Sequence, residues 1–367
     1  LHYPLRRQRQ MCIRDRLWIV LFISALPATA DENAIRSEQQ TAQAETGRNT
    51  KRLSMAGYPV ILYTPETSLI LGGGAALTMR SQRNNMHERP DNISLYAIYT
   101  LKNQVAVSFT PDFYFDGDNW EIKIFSGYQK FPDVFYGIGN NTSEAAEEAV
   151  TTEDFIFKPC LTRRIYKNFR LGLMYHLNHT SVAQVEQGGE LERGFLPGSR
   201  GSLLSGIGPI LDWDSRDNIF YPTVGVWLQL YATVYRSWPG SELEWESITL
   251  DFRTYVPLQK RHILALQFLG KSLSGEIAFN HLARLDQLRG VFASRFRDQK
   301  LAMLQLEYRY PLYKRLSGVA FAGAGDVMHQ LSDVNRRQIK FSIGAGMRFA
   351  VIPDEKINLR FDIGFSR

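Results

Sequence analysis

Cysteine is almost missing from this chain: Cys12 and Cys160 are the only two in 367 residues. That excludes the disulfide framework of a small secreted domain. Long apolar runs are missing as well, and none reaches the roughly 18 residues that a membrane-spanning helix needs. Charge of one sign is scarce. The formal net charge is +6, and residues 1–30 hold five Arg and one Asp, net +4, which leaves about +2 for the remainder. So mild a balance gives no electrostatic footprint for nucleic acid. Signatures of catalysis and of metal binding are equally thin. No Gly-x-Ser-x-Gly elbow occurs, and Pro197-Gly198-Ser199-Arg200-Gly201 reads as a loop. Gly72-Gly73-Gly74 lacks the following helix that a phosphate cradle requires. His176 and His179 lie three apart in an alternating segment and point to opposite faces. Neither a metal nor another cofactor is implied.

What is present is ordered along the chain. A short apolar core, 17–26, follows Arg14 and Arg16 and ends at Ala28-Thr29-Ala30. A basic flank, an apolar core and an Ala-x-Ala site make residues 1–30 an expected signal peptide. Its opening, through Met11-Cys12-Ile13-Arg14-Asp15-Arg16, has the look of an artefactual start. Residues 31–56 are rich in Gln, Glu, Ala and Thr and are expected to be a disordered tail.

From residue 57 onward the sequence becomes a succession of strands separated by turn residues. Residues 223–235 show the pattern most plainly. Val224, Val226, Leu228, Leu230, Ala232 and Val234 share one face, and Trp227, Gln229, Tyr231 and Thr233 share the other. In 243–256, Ile248, Leu250, Phe252 and Val256 alternate with Ser247, Thr249, Asp251 and Arg253. In 300–310, Leu304, Leu306 and Tyr308 alternate with Gln305, Glu307 and Arg309. An Arg turned towards lipid near the bilayer midplane costs about 2–4 kcal/mol, so the polar faces are expected to line a lumen. Most connections after even strands are short, as at Lys167-Asn168, and several after odd strands are long, such as 132–152, 181–202 and 272–299, with the long 80–91 and the short 101–104 as exceptions. Outer-membrane barrels segregate short periplasmic turns from long external loops in this way. The fold class is therefore all-β, a transmembrane antiparallel β-barrel of the outer membrane. Fifteen strands can be counted. Single-chain bacterial barrels have an even number, so sixteen are expected in full, with the last one missing here.

Two stretches carry a family resemblance. Leu288-Arg289-Gly290-Val291, followed by Phe292, resembles the Val/Leu-Arg-Gly-Phe/Tyr motif on the lumenal loop of the Omp85 superfamily, the BamA/TamA-like or D15 surface-antigen barrels. Asp214-Ser215-Arg216-Asp217-Asn218, with Phe220-Tyr221-Pro222-Thr223 and Gly225, resembles that family's Asp-Thr-Arg-Asp…Tyr-Pro-Thr-x-Gly turn. The resemblance covers roughly residues 57–367 and implies an Omp85-like barrel there. It also implies that the loop is pinned by Arg289 and Gly290 against an acidic wall residue, for which Glu307 is placed. In the family a second acid lies in a Phe-x-Asp-x-Gly strand. Here Phe321-Ala322-Gly323 puts glycine at that position, which implies either a weaker lock or Asp251 as the substitute.

The implied function is membrane assembly, or transport of protein or lipid, in the outer membrane of a Gram-negative bacterium. The expected partners are outer-membrane lipid and lipopolysaccharide, with client proteins or lipids besides. The periplasmic tail of 31–56 is too short for a POTRA domain, which the family's assembly proteins carry. The alternative is a passive channel or a structural surface antigen. No enzyme is expected: a barrel phospholipase would have only His281 with Ser272 or Ser274. Asp212, Asp214 and Asp217 do not match a calcium loop, because Arg216 interrupts the spacing.

Overall fold

A computed structural model describes residues 53–64, 68–79, 91–218, 221–259, 261–352 and 356–366. The expected signal peptide and most of the tail lie outside them, as does Phe220. The chain runs through β1 (Leu53–Thr64), β2 (Ser68–Met79), β3 (Asp91–Thr100), β4 (Val105–Phe115) and β5 (Trp120–Phe135). β6 (Glu148–Tyr166), β7 (Phe169–Val185), β8 (Ser202–Asp214), β9 (Gly225–Tyr235), β10 (Trp245–Gln259) and β11 (His262–Gly275) follow. Two short strands, β12 (Ala283–Arg284) and β13 (Arg297–Asp298), sit within the next connection. β14 (Lys300–Tyr313), β15 (Leu316–Met328), β16 (Lys340–Ile352) and β17 (Ile357–Ser366) end the described chain.

Fifteen of these strands form one sheet in chain order, each antiparallel to its neighbours, while β12 and β13 pair only with each other. The alternation in sequence becomes a two-faced wall. On β14, Leu304, Leu306 and Tyr308 are exposed outside, whereas Leu301, Met303, Gln305 and Glu307 are buried inside. On β10, Ile248 and Val256 face out and Ser247, Thr249 and Asp251 face in. An apolar outer band around a polar interior is the arrangement of an outer-membrane barrel wall. His176 is buried on the inner face while His179 is exposed, so the two do not converge.

Three strands run further than the sequence pattern suggests. β5, β6 and β7 extend to 16, 19 and 17 residues. Pro132, Asp133 and Thr152 read as loop residues, yet Pro132 pairs with Thr151 and Asp133 with Val150. Cross-strand pairing satisfies the backbone there and overrides the local turn propensity. The connections 136–147 and 186–201 are correspondingly shorter than expected.

The interior is filled from the outer end. The connection 276–299 folds back between the walls and buries Ile277, Phe279, Leu282, Leu285, Leu288 and Val291. These side chains join Leu204, Trp245, Leu269, Leu301, Met303 and Val327 of the wall in one apolar cluster, apart from Phe279. Phe279 packs edge-on to Phe135 at 5.8 Å, beside Val150 and Leu191. A fully buried side chain of this kind contributes about 1.5–3 kcal/mol. The apolar seat is therefore the main attraction on the loop. At the other end, Arg163 lies over Trp120 at 5.3 Å and Phe169 packs on Trp213. Such amphipathic residues form the aromatic girdle at a membrane interface.

The two faces make opposite demands on charge. We predict that Leu306→Arg, on the outer face near mid-strand, destabilises the folded barrel by about 2–4 kcal/mol. Gln229→Arg, which faces the lumen beside Asp212 on β9, should cost clearly less. Reversible denaturant unfolding in lipid vesicles measures both.

Candidate functional site

Arg289 leaves the apolar seat and enters an ionic cluster on the inner wall. Its Nη1 lies 2.6 Å from Glu307 Oε2 on β14 and 3.3 Å from Asp362 Oδ2 on β17. Its backbone N–H and Nε both donate to Gln305 Oε1, at 3.2 and 3.1 Å. Its guanidinium lies 3.9 Å from the centroid of the Phe321 ring. Three more arginines surround the same two carboxylates. Arg348 on β16 binds Asp362 Oδ1 and lies 3.4 Å from Glu307 Oε2. Arg309 Nε donates to Glu307 Oε1 at 2.6 Å. Arg360 Nε donates to Asp362 Oδ2 at 2.6 Å. Strand parity sets the local pairs, since Glu307 and Arg309, like Arg360 and Asp362, are two apart on the inner face, and the pairing of β14 to β17 brings these pairs and Arg348 together.

Glycines make the close approach possible. Gly290 adopts φ +95°, a left-handed conformation that disfavours side chains. A Cβ there would meet the backbone of Gly364 and Phe365 at 3.1 Å. Ser366 Oγ donates to the Gly290 carbonyl at 2.8 Å, which ties the loop to β17. Gly323 leaves room for Leu288, whose Cδ1 would lie 2.6 Å from a Cβ at that position.

The position of the second acid corrects one expectation. Asp251 does not meet Arg289. It is paired with Arg253 at 2.7 Å and accepts from Gln267, which in turn donates to Gln287 of the loop. The acid that meets Arg289 beside Glu307 is Asp362. Leu288 occupies the space above Gly323, and the carboxylate comes instead from two strands further on. A trace was present in the sequence. Phe361-Asp362-Ile363-Gly364 keeps the Asp-x-Gly order with its aromatic one residue nearer, beside an inward Arg360.

The Asp-rich turn between β8 and β9 is held by its own side chains. Asp214 binds Arg216 through Nε at 2.8 Å and Nη2 at 2.7 Å. Asp217 accepts from Thr223 N at 2.8 Å and from Val224 N at 3.2 Å, and pairs with Lys356 at 2.6 Å. Partial burial opposes ionisation of Asp217. The Lys356 ammonium and the Thr223 and Val224 donors outweigh it and hold the carboxyl well below the usual range. Gly225 has φ +112°, and a Cβ there would meet Ser215 O at 2.3 Å. Pro222 turns its carbonyl inward, where Arg309 Nη1 donates to it at 2.8 Å, and Tyr221 lies 4.4 Å from the same guanidinium. One carboxylate thus serves both ends of the lumen: Glu307 Oε2 holds the loop's Arg289, and Oε1 holds Arg309, which grips the turn.

Among the described residues no group of three His, Cys, Asp or Glu side chains can hold a metal. His281 points into the interior, 3.0 Å from Asn178 Oδ1. Ser272 pairs with Ile248 of the outer face and, with Ser274, is exposed, so neither serine shares a face with His281.

The sequence matches the family model of the Omp85 superfamily domain over residues 70–365. The chain belongs to the Omp85 superfamily. It is an outer-membrane β-barrel of the Gram-negative type. Among solved structures it is similar to BamA from Haemophilus ducreyi lacking POTRA domains 1–3, with a TM-score of 0.60 and 12% identity over 95% of this chain and 76% of that one. It is also similar to CdiB from Escherichia coli, with a TM-score of 0.54 and 11% identity over 88% of this chain and 64% of that one. CdiB from Acinetobacter baumannii gives a TM-score of 0.53 and 11% identity over 95% and 66%. The chain thus spans about two thirds of the CdiB structures. A search of the curated proteins found no match.

The cluster contains four guanidinium groups and two carboxylates, so its members are not equivalent. Glu307→Gln leaves four cations around one acid, and breaking a buried pair in this way costs about 3–5 kcal/mol. Arg289→Ala leaves both acids with arginine partners and should cost less. The expected order, Glu307→Gln more destabilising than Arg289→Ala, is read from denaturant midpoints at constant m. Equal or inverted midpoints contradict the charge count.

Proposed function

We propose that this Omp85 barrel moves or inserts a macromolecular client, protein or lipid, at the outer membrane. In this reading the 276–299 loop is the movable occupant of its lumen and Arg289 is the pin. One observation carries the proposal. The loop is not merely packed inside. Its tip is bound through Arg289 and Gly290 to β17, the last strand of the described sheet, as well as to β14. Moving the loop therefore changes how β17 is held, which couples lumen and wall. BamA and CdiB share the fold, and the client class comes from that likeness together with this coupling. Lipopolysaccharide and inner-leaflet lipid are the surrounding partners. The proposed action is movement without bond-making.

A second reading, a passive channel, is supported by a cavity of about 610 Å³ lined by Lys123, Lys158, Cys160, Arg170, Asp212 and Trp227, among others. Charged side chains lining a water-filled lumen select solutes. Single-barrel recordings in planar bilayers separate the two. The transport reading predicts a mostly closed barrel with brief openings, which Arg289→Ala lengthens without producing a permanent pore, because the apolar seat remains. A steady open pore in the unaltered protein, indifferent to Arg289→Ala, would favour the passive channel.

A further inference from the structure

Four hairpins at the periplasmic end of the wall share one construction. β6–β7, β10–β11, β14–β15 and β16–β17 each show a register shift just before the turn, at Arg164/Tyr166, Pro257/Gln259, Pro311/Tyr313 and Ala350/Ile352. Each then places one residue in the left-handed region: Lys167 at φ 37°, Arg261 at 67°, Lys314 at 44° and Lys356 at 56°. A bulge thus precedes each turn, and the turn contains a left-handed position of the kind that glycine fills without strain. A side chain there carries a conformational cost. The chain accepts that cost four times, and each time the side chain is basic. The β4–β5 turn differs, with Asp116 and Asp118 at positive φ, so the basic caps occupy the arc from β6 to β17, interrupted by the Asp-rich β8–β9 turn.

Lys356 has a local partner in Asp217. Lys167, Arg261 and Lys314 are exposed and form no ion pair among the described residues. The bulge also turns consecutive apolar side chains outward beneath the caps. Tyr166 is 59% exposed, Leu258 52% and Tyr313 68%. Lys167 Nζ lies 5.3 Å from the centroid of the Tyr166 ring, and Lys314 Nζ lies 5.2 Å from that of Tyr313. An aromatic body in the bilayer edge with an ammonium above it is the geometry of an interfacial anchor.

We propose that this arc is a binding surface for the headgroups of anionic phospholipid in the inner leaflet, with Lys167, Arg261 and Lys314 as its phosphate contacts. The occupant follows from position and charge. The apolar band below the caps is the lipid-facing wall itself, so the group that meets a cation at its edge, unpaired among the described residues, is a lipid phosphate. A net-anionic lipid leaves that charge free to pair, whereas a zwitterionic one carries its own cation. The surface is independent of the loop and of whatever client the barrel handles.

Spin-labelled lipids measure the preference directly. The whole protein is reconstituted in phosphatidylcholine bilayers containing a trace of labelled phosphatidylglycerol or labelled phosphatidylcholine, and the motionally restricted fraction is compared. The glycerol lipid should be enriched at the barrel surface about fivefold or more, with the preference falling in high salt. The decisive variant is Lys167→Gly/Arg261→Gly/Lys314→Gly. Glycine suits the left-handed position, so this variant should unfold at the same or a higher temperature while its lipid preference drops to that of the bulk. Lys167→Arg/Lys314→Arg should retain the preference. No enrichment in the unaltered protein, or equal enrichment in the glycine variant, overturns the proposal. Reduced enrichment by free inorganic phosphate at constant ionic strength also overturns it, because a free-anion site would then account for the signal.

Discussion

Glu307 is the side chain on which the interior depends. Its two oxygens face different partners: Arg289 and Arg348 on one, Arg309 on the other. Through Arg289 it fixes the tip of the outer loop. Through Arg309 it reaches Tyr221 and Pro222 of the turn at the opposite mouth. A carboxylate taken out of water is stable only when its lone pairs are met by well-placed donors. Here that requirement is met by residues from several distant parts of the chain. The loop, the β8–β9 turn and the strands β14 and β16 are consequently specified together.

The cluster sets position more than total attraction. Six apolar side chains of the loop are buried against the wall, and their burial outweighs any one ion pair. The ions decide where the tip sits. Gly290, packed on the backbone of Gly364 and Phe365, turns that position into a contact with β17. The cation excess is spread over aromatic faces, Phe321 under Arg289 and Tyr221 and Tyr255 around Arg309. Such contacts stabilise a guanidinium by about 0.5–2 kcal/mol. They give an arginine a second favourable surface when its carboxylate partner shifts. A loop held firmly by apolar packing and located by exchangeable ionic contacts suits an element that moves without unfolding the wall.

Much of this was legible from residue order. Period-two alternation in 243–256 and 300–310 identified the lumen face, since placing Asp251, Arg253, Glu307 or Arg309 towards lipid is costly. Fifteen strands were countable, and the Arg289 stretch marked the inward loop. The outer reach of β5–β7 was not legible, because Pro132 and Asp133 carry turn propensity that only pairing with β6 overrides. Asp362 was missed for a related reason. The family pattern puts the acid at the position of Gly323, Asp251 is the inward acid that parity offers in its place, and nothing in sequence shows that Leu288 fills the space beside Gly323. The partners Arg348 and Arg360 are likewise visible only once β14 to β17 lie side by side. Nor does sequence reveal that Pro222 bends inward to Arg309.

The ionic cluster locates the loop tip inside the lumen. The most direct measurement is a pulsed electron-spin distance between labels at Asp286, exposed on the loop, and Lys314, exposed on the β14–β15 turn. It would be made on the barrel in lipid, with and without Glu307→Gln/Asp362→Asn. One narrow distance distribution is expected in the native protein, and a broad or multiply peaked one when both carboxylates are neutralised. An unchanged narrow distribution in the neutralised barrel would show that apolar packing alone locates the loop, and the ionic account would be wrong.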